Sequence, residues 1–265
     1  DEAITWYSQV ETRHIEPDLL PEYNFKFGYA HLQEDDPDMA LERFAAAMDT
    51  ESEYAAPSAY YYAHINYEKK NYQVALERFY TIQDDPRFGS IVPYYITQIL
   101  FIQKKYQEVT EYAPAILDTS KVQKRGETAR MAGESFFRLK DYENAVVYLE
   151  MYEKNATPQR YDKYLLGYSY YQGGDYDKAI KNFTRVTYMN DSLAQVTYYH
   201  LADCYLKQGE KNYARTSFKK VYELGHDEVL TEDGHFKYAQ LAYELSYNPY
   251  DEAIRAFEEY INTYP

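Results

Sequence analysis

The side chains with the strongest chemistry in this chain are scattered. Its six histidines are His14, His31, His64, His200, His226 and His235. His226 and His235 could approach each other, with Asp227 and Asp233 nearby. A metal site there competes with the simpler reading of solvated loop residues. Asp35, Asp36 and Asp38 crowd around Pro37. A calcium loop needs about twelve residues closing on a glutamate, a pattern this segment lacks, so charge stabilisation of a helix start is the simpler reading. There is no His-Glu-x-x-His, no paired Cys-x-x-Cys, no glycine-rich phosphate loop and no Gly-x-Ser-x-Gly. Carboxylates are so common that no pair stands out for acid–base work. The chain is therefore expected to be no enzyme and to hold no metal or cofactor. Tyrosine is what it has in excess: 35 of 265 residues. Each tyrosine offers a large packing surface and a polar tip, which suits half-buried positions.

The elements that must position these rings are clearest from Tyr161 to Val186. This stretch reads as two short amphipathic helices around Gly173-Gly174-Asp175. The glycines accept the left-handed backbone that stops a helix, and Asp175 is suited to cap the next one. Ala179 and Phe183 share a face of the second helix. The small residue of that helix recurs as Ala3, Ala40, Ala75, Val109, Ala145, Ala179, Ala214 and Ala253, at spacings of 34 to 39. Four residues later stand Tyr7, Phe44, Phe79, Ala113, Leu149, Phe183, Phe218 and Phe257. Twelve residues before the anchor come Gly28, Ala63, Thr97, Gly133, Gly167 and Ala202. Ala239 takes that slot in the last repeat if Asn248-Pro249 is a two-residue insertion. Small residues at both slots let two helix backbones approach closely.

Leu166-Gly167-x2-Tyr170 followed by Ala179-x3-Phe183 resembles the tetratricopeptide repeat, a helix–turn–helix unit of about 34 residues. The resemblance implies an all-α, right-handed α-solenoid of antiparallel helix pairs. It divides the chain into a leading half repeat, 1–17, and seven repeats at about 21–54, 56–89, 90–123, 126–159, 160–193, 195–228 and 232–265. No repeat has tryptophan at the family's tryptophan slot, and the closing proline is in register only at Pro265. The third repeat departs most, with Thr97, Val109 and Ala113 at key slots. Asn71, Asp141 and Asp175 are expected caps, and the polar stretch from Gly225 to His235 is expected to be the longest connection. Asp1-Glu2-Ala3-Ile4 repeats Asp251-Glu252-Ala253-Ile254 letter for letter. The first tetrapeptide therefore reads as a second helix whose own first helix is missing, as in a piece of a longer bacterial array.

Net charge is −15, from 28 basic and 43 acidic side chains. Such a surface repels phosphates, which argues against nucleic acid and anionic membranes. The longest apolar run, Ile91 to Ile102, is too short to span a bilayer. Cys204 lies at a first-helix slot filled elsewhere by small or apolar residues, which favours a buried thiol. The repeats are similar to those of large bacterial envelope proteins. That leans the compartment toward the envelope or periplasm, with the cytoplasm as the other candidate.

In the tetratricopeptide family the first helices line the concave face, with ligand contacts at the second, fifth, ninth and twelfth slots of each repeat. Here the fifth slot holds Phe25, Tyr60, Tyr94, Arg130, Tyr164, Tyr199 and Phe236. Tyr29 and Tyr168 stand at ninth slots, and Tyr171 at a twelfth. The resemblance implies that Phe25, Tyr29, Tyr60, Tyr94, Tyr164, Tyr168, Tyr171, Tyr199 and Phe236 line an aromatic groove for a protein or peptide partner. The other reading is that these rings only pack against the neighbouring repeat. Chaperone-tail binding would need a Lys, Arg and Asn set that is absent; Arg130 and Arg138 are the one basic pair. Three functions stay open: a protein-interaction scaffold, a glycan binder using the same rings, and a spacer array or one that self-associates through open ends.

Overall fold

A computed structural model of the chain describes residues 2–119, 122–246 and 251–264. Among them are fifteen α-helices, two short 3-10 turns and no strand. The chain divides into two compact units, the first ending at Thr128 and the second beginning at Ala129. The first contains α1 (Glu2–Ser8), α2 (Leu20–Gln33), α3 (Pro37–Met48), α4 (Ala55–Glu68), α5 (Tyr72–Ile82), α6 (Val92–Ile102) and α7 (Tyr106–Leu117). The division falls in the first turn of α8 (Arg125–Arg138). The second unit continues with α9 (Tyr142–Asn155), α10 (Arg160–Gln172), α11 (Tyr176–Thr184), α12 (Ser192–Lys207), α13 (Lys211–Leu224), α14 (Glu228–Glu244) and α15 (Asp251–Thr263). Even-numbered helices are the first members of helix pairs and odd-numbered ones the second, with α1 as the unpaired leading helix.

The packing follows from residue size. Ala40, Ala75, Val109, Ala145, Ala179 and Ala214 are completely buried, as are Phe44, Phe79, Ala113 and Phe183. Opposite them the first helices carry glycine where nothing larger fits. A methyl group on Gly167 would stand 2.9 Å from the Phe183 ring, and one on Gly133 would stand 2.7 Å from Leu149 Cγ. The departing third repeat is packed as tightly. Thr97 is buried and returns its hydroxyl to the Pro93 carbonyl at 2.8 Å. On α1, by contrast, Ala3 is exposed and Tyr7 only half-buried.

Six turns between paired helices share one conformation. A left-handed residue closes each first helix: Asp35, Lys70, Lys104, Lys140, Gly174 and Gly209, with φ between 58° and 79°. The residue after it donates its N–H back five positions, as Asp36 does to His31 and Asp175 to Tyr170, both at 3.0 Å. This pattern satisfies carbonyls left over at the helix end. Gly173 is right-handed, with φ −79°, so Gly174 alone does what both glycines were expected to do. Asp36, Asp141 and Asp175 cap the helices that follow. Asn71 occupies the cap position without capping. Its side-chain amide turns instead to Asn66 Oδ1 at 3.2 Å.

The expected polar connection after Gly225 is mostly helix. Asp227 caps α14 through the Leu230 N–H at 2.9 Å, and the helix runs from Glu228. Gly234 lies within it because Val221 approaches to 2.7 Å of where a methyl would be. Asn248-Pro249 and the closing Pro265 lie outside the described residues.

Candidate functional site: aromatic faces of the first helices

In the second unit the rings of α10 form a stripe. Tyr161, Tyr164, Tyr168 and Tyr171 follow one another with centroid separations of 6.3, 6.0 and 5.7 Å. Spacings of three and four residues put them on one helix face. Phe137 and Tyr142 meet Tyr168 edge-on at 5.6 and 5.8 Å. Tyr171 donates to Asp203 Oδ2 at 2.8 Å. Tyr161 accepts from Arg138 at 3.1 Å. Arg138 and Arg130 both pair with Glu134, so the basic pair is held by an acid within its own helix.

His200 is the ring that α12 adds to this stripe. It lies 4.9 Å from Tyr168, 5.5 Å from Tyr171 and 6.2 Å from Tyr164, and stacks on Phe183 at 6.0 Å. Burial lowers its pKa to about 4, so it is neutral at pH 7. The sequence pointed to Tyr199 at this place. Tyr199 instead packs on Phe218 and donates to Asp233 at 2.7 Å, while Lys237 sits over its ring. The residue missed is the sixth of three of the repeats. Tyr61, Tyr95 and His200 occupy that slot and stack on Phe44, Phe79 and Phe183 of the preceding pair. Their recurrence beside the fifth-slot rings was the available signal.

Burial raises the phenol pKa of Tyr164, Tyr171 and Tyr199. For Tyr171, the bond to the Asp203 carboxylate adds to the effect. All three stay neutral hydrogen-bonding groups. Phe236 is 43% exposed and meets Phe257 and Tyr260.

The first unit has its own aromatic face. Phe25 stacks along Tyr29 and meets Tyr54 and Tyr61, and Tyr29 meets Tyr61 at 5.6 Å. Tyr60 stacks on Phe88 at 4.6 Å. Tyr94 meets Tyr95, whose hydroxyl lies 3.2 Å from His64 Nε2. Between α2 and α4 a cavity of about 650 Å³ is lined by Leu32, Asp35, Pro37, Tyr60, Tyr61, His64, Ile65, Glu68 and Lys69.

Another slot binds repeats together. At the first position of the fifth repeat, Arg160 donates to the Val186 carbonyl at 2.6 Å and pairs with Asp191 through two nitrogens. At the same position of the sixth, buried Gln195 donates to the Val221 carbonyl and Thr231 Oγ1 and accepts from the Asp227 N–H. Each side chain ties its helix to the start of the next pair.

Residues 138–221 match the family model described as anaphase-promoting complex, cyclosome, subunit 3. Residues 233–265 match the model of the tetratricopeptide repeat. The repeats are of the tetratricopeptide type. No curated protein matches the chain. Among solved structures, it is similar to YrrB, described as a TPR protein with an unusual peptide-binding site. That match has a TM-score of 0.59 at 17% identity and covers 72% of this chain and 96% of that one. It is also similar to a tetratricopeptide repeat protein from Parabacteroides merdae ATCC 43184. There the TM-score is 0.52 at 14% identity, with 91% and 99% covered. At these identities the likeness is one of fold.

The remaining candidates separate. His226 bonds Asn190 at 2.9 Å, whereas His235 is buried against the face of Tyr222 at 4.3 Å. Among the described residues no group of three or more metal-ligating side chains is placed to hold an ion. Cys204 is completely buried, which raises its thiol pKa to about 12. No helix among the described residues is long and apolar enough to cross a membrane.

Proposed function

We propose that this tetratricopeptide chain is a non-enzymatic scaffold that holds a segment of a partner protein against the aromatic faces of its first helices. The carrying observation is the half-exposed stripe of Tyr161, Tyr164, Tyr168 and Tyr171, backed by neutral His200. Rigid rings with polar tips lose little entropy on binding and often dominate interfaces. The peptide-binding site named for the structurally similar YrrB supports the same kind of use. Asp203 and Asp233 stand beside rings, as a sugar platform would require, but both already accept from tyrosine hydroxyls.

The test uses a random dodecapeptide display library panned on the protein. Tyr161→Ala with Tyr168→Ala removes rings without touching Tyr164, which packs on Phe183. Losing a hot spot of about 2 kcal/mol weakens binding about thirtyfold. Tyr188→Ala, at a 72% exposed tyrosine away from the stripe, serves as control. Selected peptides that bind the double variant as tightly as the native chain would count against this face. Protease-resistant binding on a glycan array, lost with the same two rings, would favour the sugar reading.

A further inference from the structure

Four repeats have a ring seat, and in the first and sixth repeats the corresponding positions carry no aromatic ring. The seat pairs the twelfth residue of a repeat with the seventeenth. These are Tyr67 with Tyr72 at 6.0 Å, Phe101 with Tyr106 at 5.9 Å, Phe137 with Tyr142 at 5.7 Å and Tyr171 with Tyr176 at 6.2 Å. The twelfth-slot ring then leans on the next first helix. Tyr67 meets Tyr95 at 5.3 Å, Phe137 meets Tyr168, and Tyr171 meets His200 and bonds Asp203. In the sixth repeat the pair is Leu206 and Lys211, and Lys211 bridges to Glu244 at 2.9 Å. In the first repeat the pair is Leu32 and Pro37, and the place of the rings is the 650 Å³ cavity.

The cavity's walls fit an aryl group. Leu32, Tyr60, Tyr61 and Ile65 supply apolar surface, and His64 and Glu68 supply hydrogen-bonding atoms for a phenol. Its rim is acidic. Asp35 and Glu68 are exposed, and among the described residues no cation pairs with either. The rim's lysine, Lys69, is engaged by Asp38. In a chain of net charge −15 these carboxylates favour a cationic neighbour to the ring and oppose an anionic one.

We propose that the cavity between α2 and α4 seats an aromatic side chain of a partner peptide in which a lysine or arginine adjoins the aromatic residue. This deepens the scaffold reading and rests on it. The incoming ring takes the place that Tyr171 fills within the chain itself, and the basic neighbour meets Asp35 and Glu68.

The experiment returns to the random dodecapeptide library. Leu32→Tyr supplies the missing ring from within. Tyrosine already occupies this slot at positions 67 and 171, and thermal unfolding confirms that the variant is folded. The expected result is a class of peptides with an aromatic residue beside Lys or Arg. Leu32→Tyr weakens that class at least tenfold, and Tyr188→Ala, the exposed control, leaves it unchanged. Replacing the peptide's basic residue with glutamate also weakens it at least tenfold, and the Glu68→Lys variant reverses that preference. Should Leu32→Tyr fail to fold, ring-current shifts of the Leu32 and Ile65 methyl groups in the native chain, on adding a selected peptide, give the same answer. Peptides that depend only on Tyr161 and Tyr168 would overturn the seat and leave the scaffold standing. A library yielding nothing dependent on either face would overturn both.

Discussion

Gly133→Ala tests whether close helix approach, and not chance, keeps the first helices small. The substitution places a methyl 2.7 Å from Leu149 Cγ and 3.0 Å from both Leu149 Cδ2 and the Leu149 backbone nitrogen. Carbon atoms in contact prefer about 3.5–4.0 Å, so the two helices must part by roughly 1 Å or Leu149 must turn. Leu149 is only 2% exposed and has little room to turn, and its backbone nitrogen cannot move independently of α9. Overpacking of this kind costs about 1–3 kcal/mol. Alanine returns about 1 kcal/mol of helix propensity. A contact at 2.7 Å belongs at the severe end of that range, so the balance is a loss of about 1–2 kcal/mol. Gly173→Ala is the internal comparison. Its φ is −79° and its nearest neighbours are carbonyl oxygens at 3.5 Å, an ordinary contact. There the reduced freedom of the unfolded chain should raise stability by about 0.4–1 kcal/mol. Urea unfolding followed by dichroism at pH 7 reads both, and the two variants should move in opposite directions. Gly28→Ala should destabilise less than Gly133→Ala, because its obstacles, Arg43 Cβ and the buried Phe44 ring, stand at 3.0–3.1 Å and not at 2.7 Å. A Gly133→Ala chain as stable as the native one would refute the close-packing account of these slots.

Gln195→Ala removes a buried side chain that holds Val221, Thr231 and the Asp227 N–H. Stranding those partners should cost about 2–3 kcal/mol in urea unfolding, and an effect under 1 would show that water replaces the amide. Lys140→Gly relieves a left-handed lysine at φ 63° and should stabilise by about 0.5–1 kcal/mol, whereas Gly174→Ala, at φ 78°, should lose about 1. His200, with its pKa lowered by burial to about 4, makes the native chain refuse a proton that the unfolded chain takes up. Stability should therefore be full above about pH 6.5, fall as pH drops toward 4 and level off below it. His200→Tyr places at the sixth slot the residue found there at 61 and 95, and should flatten that window. A fall across it as steep as in the native chain would show that other groups set it.

The helix pairs were legible because their packing constrains residue size at fixed positions of one repeat. Gly167 against Phe183 and Gly133 against Leu149 leave marks that recur whatever the neighbours do. Contacts between repeats leave fainter marks, since they depend on how one pair is offset from the next. The sixth-slot rings show this. Tyr61, Tyr95 and His200 all stack on the phenylalanine of the preceding pair and Lys237 lies over Phe218, yet Lys26, Met131 and Leu165 fill the same slot in the other repeats. Arg160 and Gln195 do equivalent work with different chemistry, so identity alone does not reveal the clamp. Local signals misled where one residue type serves two purposes. Gly234 read as part of a connection, but its glycine serves the approach of Val221 inside α14. At Lys70, Lys104 and Lys140 the left-handed turn is made without glycine, because the backbone bonds that close it do not depend on the side chain. The ring seat lies between these cases. Leucine at 32 and proline at 37 are unremarkable helix residues, and they become informative only once Tyr67 with Tyr72 and Tyr171 with Tyr176 show what the position otherwise holds. In a repeat array, then, a binding place is read best from the repeat that departs from its neighbours, because the other repeats record what that place was built to enclose.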